Sequence, residues 1–220
     1  MDNRRLTIPE RRNYEVANEY AYKLAGEQIT GITDIEQQCR NSGAQYQEID
    51  SKKKVLIQYL NQKYRITIPE VEVSLDSDTG EVSLRDKLLI LHYFIRAKGT
   101  PLTGKMIPFR DLPEGKVYYP TFEKRTSQPL LDCFGKDPYL LLKTSETLGG
   151  RQTEYGDMSV TINAFARVPI TMVLWQGDEE FTPQLNILFD ATIVDYLPTE
   201  DITVLCEVIT WRLIRSVQRP

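Results

Sequence analysis

The sequence has little histidine and cysteine, and it has no long apolar run. His92 is the only histidine, which argues against a zinc site of the usual kind, because such sites draw on several histidines or cysteines. Cys39, Cys133 and Cys206 are far apart and never form a Cys-x-x-Cys pair, which argues against a disulfide framework and an iron–sulfur cluster on this chain. No apolar run approaches the roughly 20 residues that cross a bilayer. We therefore expect a cytoplasmic protein that does not bind membranes.

A strongly basic composition is also missing. The net charge of −4 and the absence of an extended basic stripe argue against a nucleic-acid partner. The charged N-terminus is followed by no apolar stretch, so we expect no secretory signal. The 41% of hydrophobic residues is typical of a chain that folds around a core.

The spacing of apolar residues predicts an α+β fold. Short segments rich in Tyr, Ile and Val predict antiparallel strands at 45–50, 55–60 and 64–68. Ser83 can cap a strongly apolar helix that we expect at the centre of the fold. We predict a single domain over 13–220, with a largely antiparallel sheet packed by helices, and a flexible arm over 1–12.

The second half of the chain predicts a loop, further strands and a final helix. Four prolines between 100 and 126 predict a long structured loop with short helical or extended pieces. Alternating or apolar segments predict strands at 158–165, 169–175 and 186–189. Thr199 is the predicted cap of a last helix.

Two short motifs resemble ligand loops only in part. The segment 99–105 has the Gly-x-x-x-x-Gly-Lys spacing of a phosphate-binding loop, but Met106 follows where Ser or Thr is needed. We interpret this segment as a Gly/Pro turn. Residues 76–80 lack two acids of a calcium loop, and they predict a hairpin between strands at 71–75 and 81–83.

Several acids cluster around the predicted strands. If the strand ends bring Asp157, Asp178, Glu180 and Asp190 together, their oxygens would suit magnesium, calcium or manganese. A solvated acidic turn at 178–180 is the alternative, since charge runs usually face water. Trp175 beside this turn keeps it a candidate site. The cofactor is unknown, and a divalent cation is one candidate.

An aromatic and basic segment is the second candidate site. Tyr118 and Tyr119 precede Lys124 and Arg125, and aromatic rings beside cations can stack a planar ligand or hold an anion. Such aromatic residues can instead anchor a loop to the core. His92 likewise has two interpretations: it is either a hydrogen-bonded core residue or a residue that contacts a ligand. The candidate ligand-binding residues are Tyr118, Tyr119, Lys124, Arg125, Arg167, Trp175 and His92.

Several stretches together carry a family resemblance, among them LILHY (89–93), GTPLTGK (99–105), FRDLP (109–113), LGG (148–150) and YGD (155–157). With them the chain resembles, from about 13 to 214, the prokaryotic family catalogued as domain of unknown function 3786. The resemblance implies relatives in anaerobic bacteria and archaea, some fused to a four-cysteine iron–sulfur domain like that of corrinoid proteins. This chain lacks those cysteines, so the resemblance implies only an association with corrinoid or one-carbon metabolism.

Three functions stay open at this point. The leading hypothesis is an accessory protein that binds a small molecule or cofactor, with Arg167 holding an anion or pairing with the acids after Trp175. The second is a hydrolase or transferase that uses a carboxylate-bound metal, and the third is a scaffold for a protein partner. One histidine and scattered cysteines leave the common catalytic sets incomplete, which favours a protein that is not an enzyme.

Overall fold

The computed structural model describes residues 10–49, 52–77, 79–177 and 180–217. The α-helices are α1 (Glu10–Thr30), α2 (Ile35–Ser42), α3 (Leu84–Arg96), α4 (Gly115–Arg125), α5 (Ser127–Phe134), α6 (Pro138–Ser145) and α7 (Thr199–Val217). The strands are β1 (Gln45–Ile49), β2 (Lys52–Tyr59), β3 (Gln62–Ile68), β4 (Glu72–Leu75), β5 (Met106–Pro108), β6 (Arg151–Thr153), β7 (Met158–Phe165), β8 (Val168–Trp175) and β9 (Gln184–Asp190). They form two antiparallel sheets packed by helices, which confirms the predicted α+β class. The predicted arm lies mostly outside the described residues.

The first sheet is a meander in the order β1-β2-β3-β4, as the sequence predicts. Val55, Ile57 and Tyr59 are buried and the residues between them are more exposed, which is the period of two of a strand with one face on the core. Leu60 and Asn61 join β2 to β3 with φ angles of 46° and 65°, as a two-residue hairpin turn requires.

The second sheet has the order β5-β9-β8-β7-β6. Ile170, Met172 and Leu174 of β8 are buried in the core. Strand β9 pairs with β8 from Gln184 onwards, but with β5 only from Leu188 to Asp190. The first half of β9 is therefore an open sheet edge.

Helix α3 is the central helix, as predicted. Ser83 accepts a hydrogen bond from the Asp86 backbone N–H at 3.1 Å and caps the helix. Leu91, Tyr93 and Phe94 are fully buried, and α3 contacts α1, α2 and α7. None of the helices in the described ranges is long and apolar enough to cross a membrane.

A run of stacked aromatic rings crosses the core between the sheets. The ring of Phe165 lies 4.9 Å from Tyr59 of the first sheet and 4.0 Å from Tyr93 of α3. Tyr196, at 5.9 Å from Tyr93, extends the run. Offset aromatic pairs add to the stabilisation that burial provides, so this run fixes the sheets against α3.

The segment 98–105 is a loop between α3 and β5, the reverse of the strand-then-helix order of a phosphate-binding loop. Asp195 accepts hydrogen bonds from Lys98 and Thr100, both at 2.8 Å. Tyr196 donates to the Thr100 carbonyl, and Asp190 binds the far end of the loop. The loop is therefore fixed from the segment that follows β9.

Two local predictions were wrong and one was incomplete. The described residues after β4 contain no second hairpin strand, because 81–83 lead directly into α3. The predicted loop over 100–126 does contain short extended and helical pieces, β5 and a 3-10 helix at Phe109–Asp111, but it also contains the 11-residue helix α4, which includes Pro120. Thr199 is already helical, and its hydroxyl donates to the Pro113 carbonyl rather than capping α7.

Candidate functional site

Helices α4 and α7 start side by side and border a groove. Thr199 Oγ1 donates to the Pro113 carbonyl at 2.8 Å, which joins the two starting ends. Helix α4 begins at Gly115, where a Cβ would collide with the carbonyl oxygen of Phe109. The groove between the helices, the α4–α7 groove, has a volume of about 540 Å³, within the range of small-molecule sites. Its lining residues are Arg85, Glu114, Tyr118, Thr121, Arg125, Thr199, Glu200, Thr203, Val204 and Glu207.

The middle of the groove is apolar. Tyr118 of α4 is 44% exposed and lies in the groove with Val204 of α7. Thr121 and Thr203 also line this part of the groove. Residues three and four apart share one face of a helix, so this lining follows directly from the spacing along α4 and α7.

One end of the groove is basic. Glu207, whose side chain is only 13% exposed, lies 3.1 Å from Arg125 and 3.8 Å from Arg85. A single carboxylate compensates one of these two positive charges, and each guanidinium has five N–H donors, so donors remain for a ligand. Lys124 and Trp211 line the continuation of the groove past Arg125.

The other end of the groove is acidic. Glu114 precedes α4 and Glu200 lies in the first turn of α7. Among the described residues neither carboxylate has an ion pair. With a rise of about 1.5 Å per residue, Glu200 and Glu207 start roughly 10 Å apart on α7. The groove is thus acidic at one end, apolar in the middle and basic at the other.

His92 lies beyond the acidic end. Its Nδ1 is 2.9 Å from Asp201 Oδ2, and its side chain is 31% exposed. With Arg96 it lines a smaller cavity that also includes Glu200. His92 is therefore a half-buried link between α3 and α7 rather than a core residue.

A buried polar cluster holds α3, α7 and the first sheet together. Asp86 accepts hydrogen bonds from Tyr59 at 2.8 Å and Ser83 at 2.7 Å, and it pairs with Arg212 at 3.0 Å. Burial raises the pKa of Tyr59, and the adjacent Asp86 carboxylate raises it further. Tyr59 therefore stays a neutral donor. The cluster keeps the start of α3, which carries Arg85, fixed against α7.

The model of the family described as "Domain of unknown function (DUF3786)" matches residues 34–212 of the chain. The chain belongs to the DUF3786 family. All the residues that line the α4–α7 groove lie inside the matched range, whereas α1 precedes it. No curated protein and no solved structure matches the chain.

In this DUF3786 member the structure divides the predicted aromatic and basic segment between two faces. Tyr118, Lys124 and Arg125 lie along the α4–α7 groove and its continuation. Tyr119 lies on the other side of α4, in a groove that also contains Gln184. Tyr118 and Tyr119 therefore do not serve one site.

Arg167 and Trp175 lie at opposite ends of β8. At about 3.3 Å per residue, the eight residues of this strand separate them by more than 20 Å. Arg167 therefore lies far from Trp175, and because Asp178 and Glu179 lie outside the described residues, a pairing of Arg167 with the acids after Trp175 stays a prediction. Its backbone N–H donates to the Tyr93 hydroxyl at 3.2 Å. Trp175 is 37% exposed, and it pairs with Gln184 at the start of β9.

The predicted metal ligands have separate surroundings where the structure describes them. Asp157 is exposed and accepts a hydrogen bond from the Gln176 backbone at 2.8 Å. Asp190 is buried, and Glu180 is exposed. Asp178 lies outside the described residues, so the four-residue set stays a prediction. Within the described ranges, no group of three or more His, Cys, Asp or Glu residues could hold a metal ion.

The site could be found only in part from the sequence. Tyr118, Lys124 and Arg125 stand out there, but Val204 and Glu207 lie in a helix whose spacing indicates only amphipathic packing. Glu207 gains its significance from two arginines, one of them more than 120 positions earlier. No local signal indicates that contact.

Proposed function

We propose that the protein binds a small dipolar molecule in the α4–α7 groove. The ligand carries an amine at the acidic end, a singly charged anion such as a carboxylate at the basic end, and an apolar body between them. The observation that carries the proposal is the separation of charge along one groove, with Glu114 and Glu200 at one end and Arg85 and Arg125 at the other.

The basic end of the groove determines which anionic group the ligand can carry. Glu207 holds Arg85 and Arg125 together, and guanidinium groups in fixed positions suit the oxygen pairs of carboxylate and phosphate. Because Glu207 already compensates one positive charge, a singly charged anion balances the remainder. A strongly polyanionic ligand does not fit this end.

The acidic end of the groove determines which cationic group the ligand can carry. Glu114 and Glu200 have no described cation within 4 Å, so an ammonium group would gain two carboxylate partners. Tyr118 offers a ring face to the apolar body or to the cation itself. Amino acids with long side chains and ω-amino acids have this combination of groups.

Thermal unfolding with matched probes tests the proposal. 6-Aminohexanoate and longer ω-amino acids supply both charges, while the corresponding alkylamines and alkanoates supply one each. A ligand at 100 times its Kd stabilises the native state by about 2.7 kcal/mol, which raises the Tm by roughly 5–10 °C for a chain of this size. We expect this shift with the dipolar probes and a smaller one with either single-charge analogue.

Two variants localise the effect. Val204→Trp fills the apolar middle and should abolish the shift, whereas Val117→Trp changes a residue of α4 that is 81% exposed and outside the groove. Equal shifts with dipolar and single-charge probes, or an unchanged shift in Val204→Trp, would contradict the proposal.

A further inference from the structure

The open part of β9 is a backbone edge that lies apart from the α4–α7 groove. The pairing of β5 with β9 ends at Pro108 and Leu188, because Phe109 begins a 3-10 helix that turns away. The preceding residues of β9 stay paired with β8 on one side only.

Two hydrogen bonds show which way the backbone of Leu185 points. The Leu174 carbonyl accepts the Asp157 N–H at 3.1 Å, so Leu174 directs its backbone polar groups away from β9. Leu174 is the partner of Leu185 in the β8–β9 ladder, and this pair is therefore one that exchanges no hydrogen bonds. Consequently the N–H and C=O of Leu185 point to the open edge. A second hydrogen bond gives the same result. The Ala191 N–H donates to the Lys105 carbonyl at 2.9 Å and so points to the β5 side of β9. Because backbone direction alternates along a strand, Leu185, an even number of residues before Ala191, points to that same side.

These backbone groups are nearly buried and have no described partner. Leu185 is 5% exposed, and no hydrogen bond to its N–H or C=O joins it to another residue of the described ranges. Buried backbone N–H and C=O groups are nearly always paired with protein groups or ordered water. An occupant that has both an acceptor and a donor would complete this edge.

A groove runs along the same edge. It has a volume of about 560 Å³, and β9 forms one wall while α4 and α5 form the other. The lining residues are Pro108, Arg110, Tyr119, Glu123, Ser127, Gln128, Leu131, Pro183, Gln184, Leu185, Asn186 and Leu188. We call it the β9 groove. Because Gln128 and Leu131 of α5 stand opposite the strand, the space suits one extended chain rather than a second sheet.

The lining of the β9 groove includes one cation, Arg110, and one carboxylate, Glu123, and the surroundings of Arg110 favour an occupant that carries a carboxylate. The Arg110 guanidinium lies 3.7 Å from the centre of the Tyr119 ring, and in the described structure it has no carboxylate within 4 Å. The Glu123 carboxylate accepts a hydrogen bond from the Tyr119 hydroxyl at 2.9 Å. Arg110 is thus held in place by a ring face and keeps its donors for an incoming carboxylate.

We propose that the β9 groove binds an extended peptide segment with acidic side chains, which pairs its main chain with Leu185 and a carboxylate with Arg110. This is strand addition to an open sheet edge. Pro183 has no N–H and ends the edge, so the paired part is short. The proposal does not depend on the ligand of the α4–α7 groove.

Fluorescence anisotropy of the full chain with two labelled hexapeptides tests this inference. One alternates valine with glutamate and the other valine with lysine, both with blocked ends. We expect saturable binding of the glutamate peptide that is at least about tenfold tighter than that of the lysine peptide. Methylating alternate amide nitrogens of the glutamate peptide should weaken binding by about tenfold or more, because strand pairing needs those N–H donors.

Three variants show whether the peptide occupies the β9 groove. Arg110→Glu should reverse the preference between the peptides and Gln128→Trp should block both, whereas Lys116→Glu, an exposed change on α4 outside the groove, should alter neither. Hydrogen exchange should show the Leu185 amide protected only with the peptide.

No saturable binding at about 1 mM peptide, or binding that Arg110→Glu and N-methylation leave unchanged, overturns the inference. Self-association of the protein through this edge in place of peptide binding also overturns it, and the Val204→Trp variant should bind the peptide normally.

Discussion

Replacing Asp190 by alanine should release the loop 98–105 and destabilise the whole protein. The Asp190 carboxylate is 3% exposed. It accepts the backbone N–H of Gly104 at 2.6 Å and both the N–H and the hydroxyl of Thr103 at 3.0 and 3.1 Å. It also accepts the N–H and hydroxyl of Thr192 at 3.0 and 2.8 Å. Burial raises the pKa of Asp190, but these hydrogen bonds outweigh it and lower the pKa.

The magnitude follows from the number and kind of these bonds. A hydrogen bond to a charged group contributes about 1.5–3 kcal/mol, but bonds that share one acceptor are not additive. We expect Asp190→Ala to lower the free energy of unfolding by about 3–4 kcal/mol, because it leaves the donors of Thr103, Gly104 and Thr192 without their acceptor. That is a large part of the roughly 5–15 kcal/mol of a typical domain.

Urea denaturation gives the free energy, and hydrogen exchange at Thr103 and Gly104 shows whether the loop opens. Asp195→Ala is a matched comparison, since Asp195 anchors the same loop through Lys98 from a half-exposed position. It should cost about 1 kcal/mol or less. A loss below about 1 kcal/mol in Asp190→Ala, or unchanged protection of Gly104, would refute the reasoning and leave Asp190 available for the metal site that the sequence predicts.

Three further predictions concern stability. The pKa of Asp190 is lower in the folded protein than its unfolded value of about 3.9. The ionised carboxylate therefore stabilises the fold fully above the unfolded pKa, and this stabilisation is lost as the pH falls through the lower folded pKa. An asparagine at this position cannot titrate, so the Tm of Asp190→Asn should fall less steeply than that of the wild type below about pH 4. Tyr59→Phe removes the hydrogen bond to Asp86 and should cost about 1–3 kcal/mol in urea denaturation, and no loss would show that water replaces the hydroxyl. Gly43→Ala should lower the Tm, because Gly43 has a φ of 69° and a new Cβ would lie 2.8 Å from the Cβ of Ala166; an unchanged Tm would mean that this turn moves freely.

The sequence predicts the parts of the fold that local patterns determine. Ser83 and the apolar residues after it predict α3, and alternation predicts the strands of the first sheet. The sequence predicts only short helical pieces where the 11-residue helix α4 lies, because Pro120 lies inside it. Proline removes one helical N–H, but the carbonyl that would receive it belongs to Lys116, an exposed residue that water can reach.

Long-range partners account for most of what the sequence leaves out. Nothing near Asp190 indicates that it binds a loop about 87 positions earlier. Nothing in the sequence indicates the pairing of Arg212 with Asp86 either. Acids that precede or follow strands look alike in a sequence whether they hold a metal, face water or cap a buried loop, because the distinction depends on which donors the fold brings to them.

The two neighbouring tyrosines of α4 provide the sharpest separation of the two binding proposals. Successive residues on a helix point about 100° apart, so Tyr118 lines the α4–α7 groove while Tyr119 lies under Arg110 in the β9 groove. Tyr118→Ala should weaken the dipolar probes and leave the acidic peptide bound, and Tyr119→Ala should do the reverse. Thermal shift and anisotropy on both variants measure this directly. If each substitution weakened both ligands, the helix would be transmitting a single structural change, and neither groove could be assigned a ligand of its own.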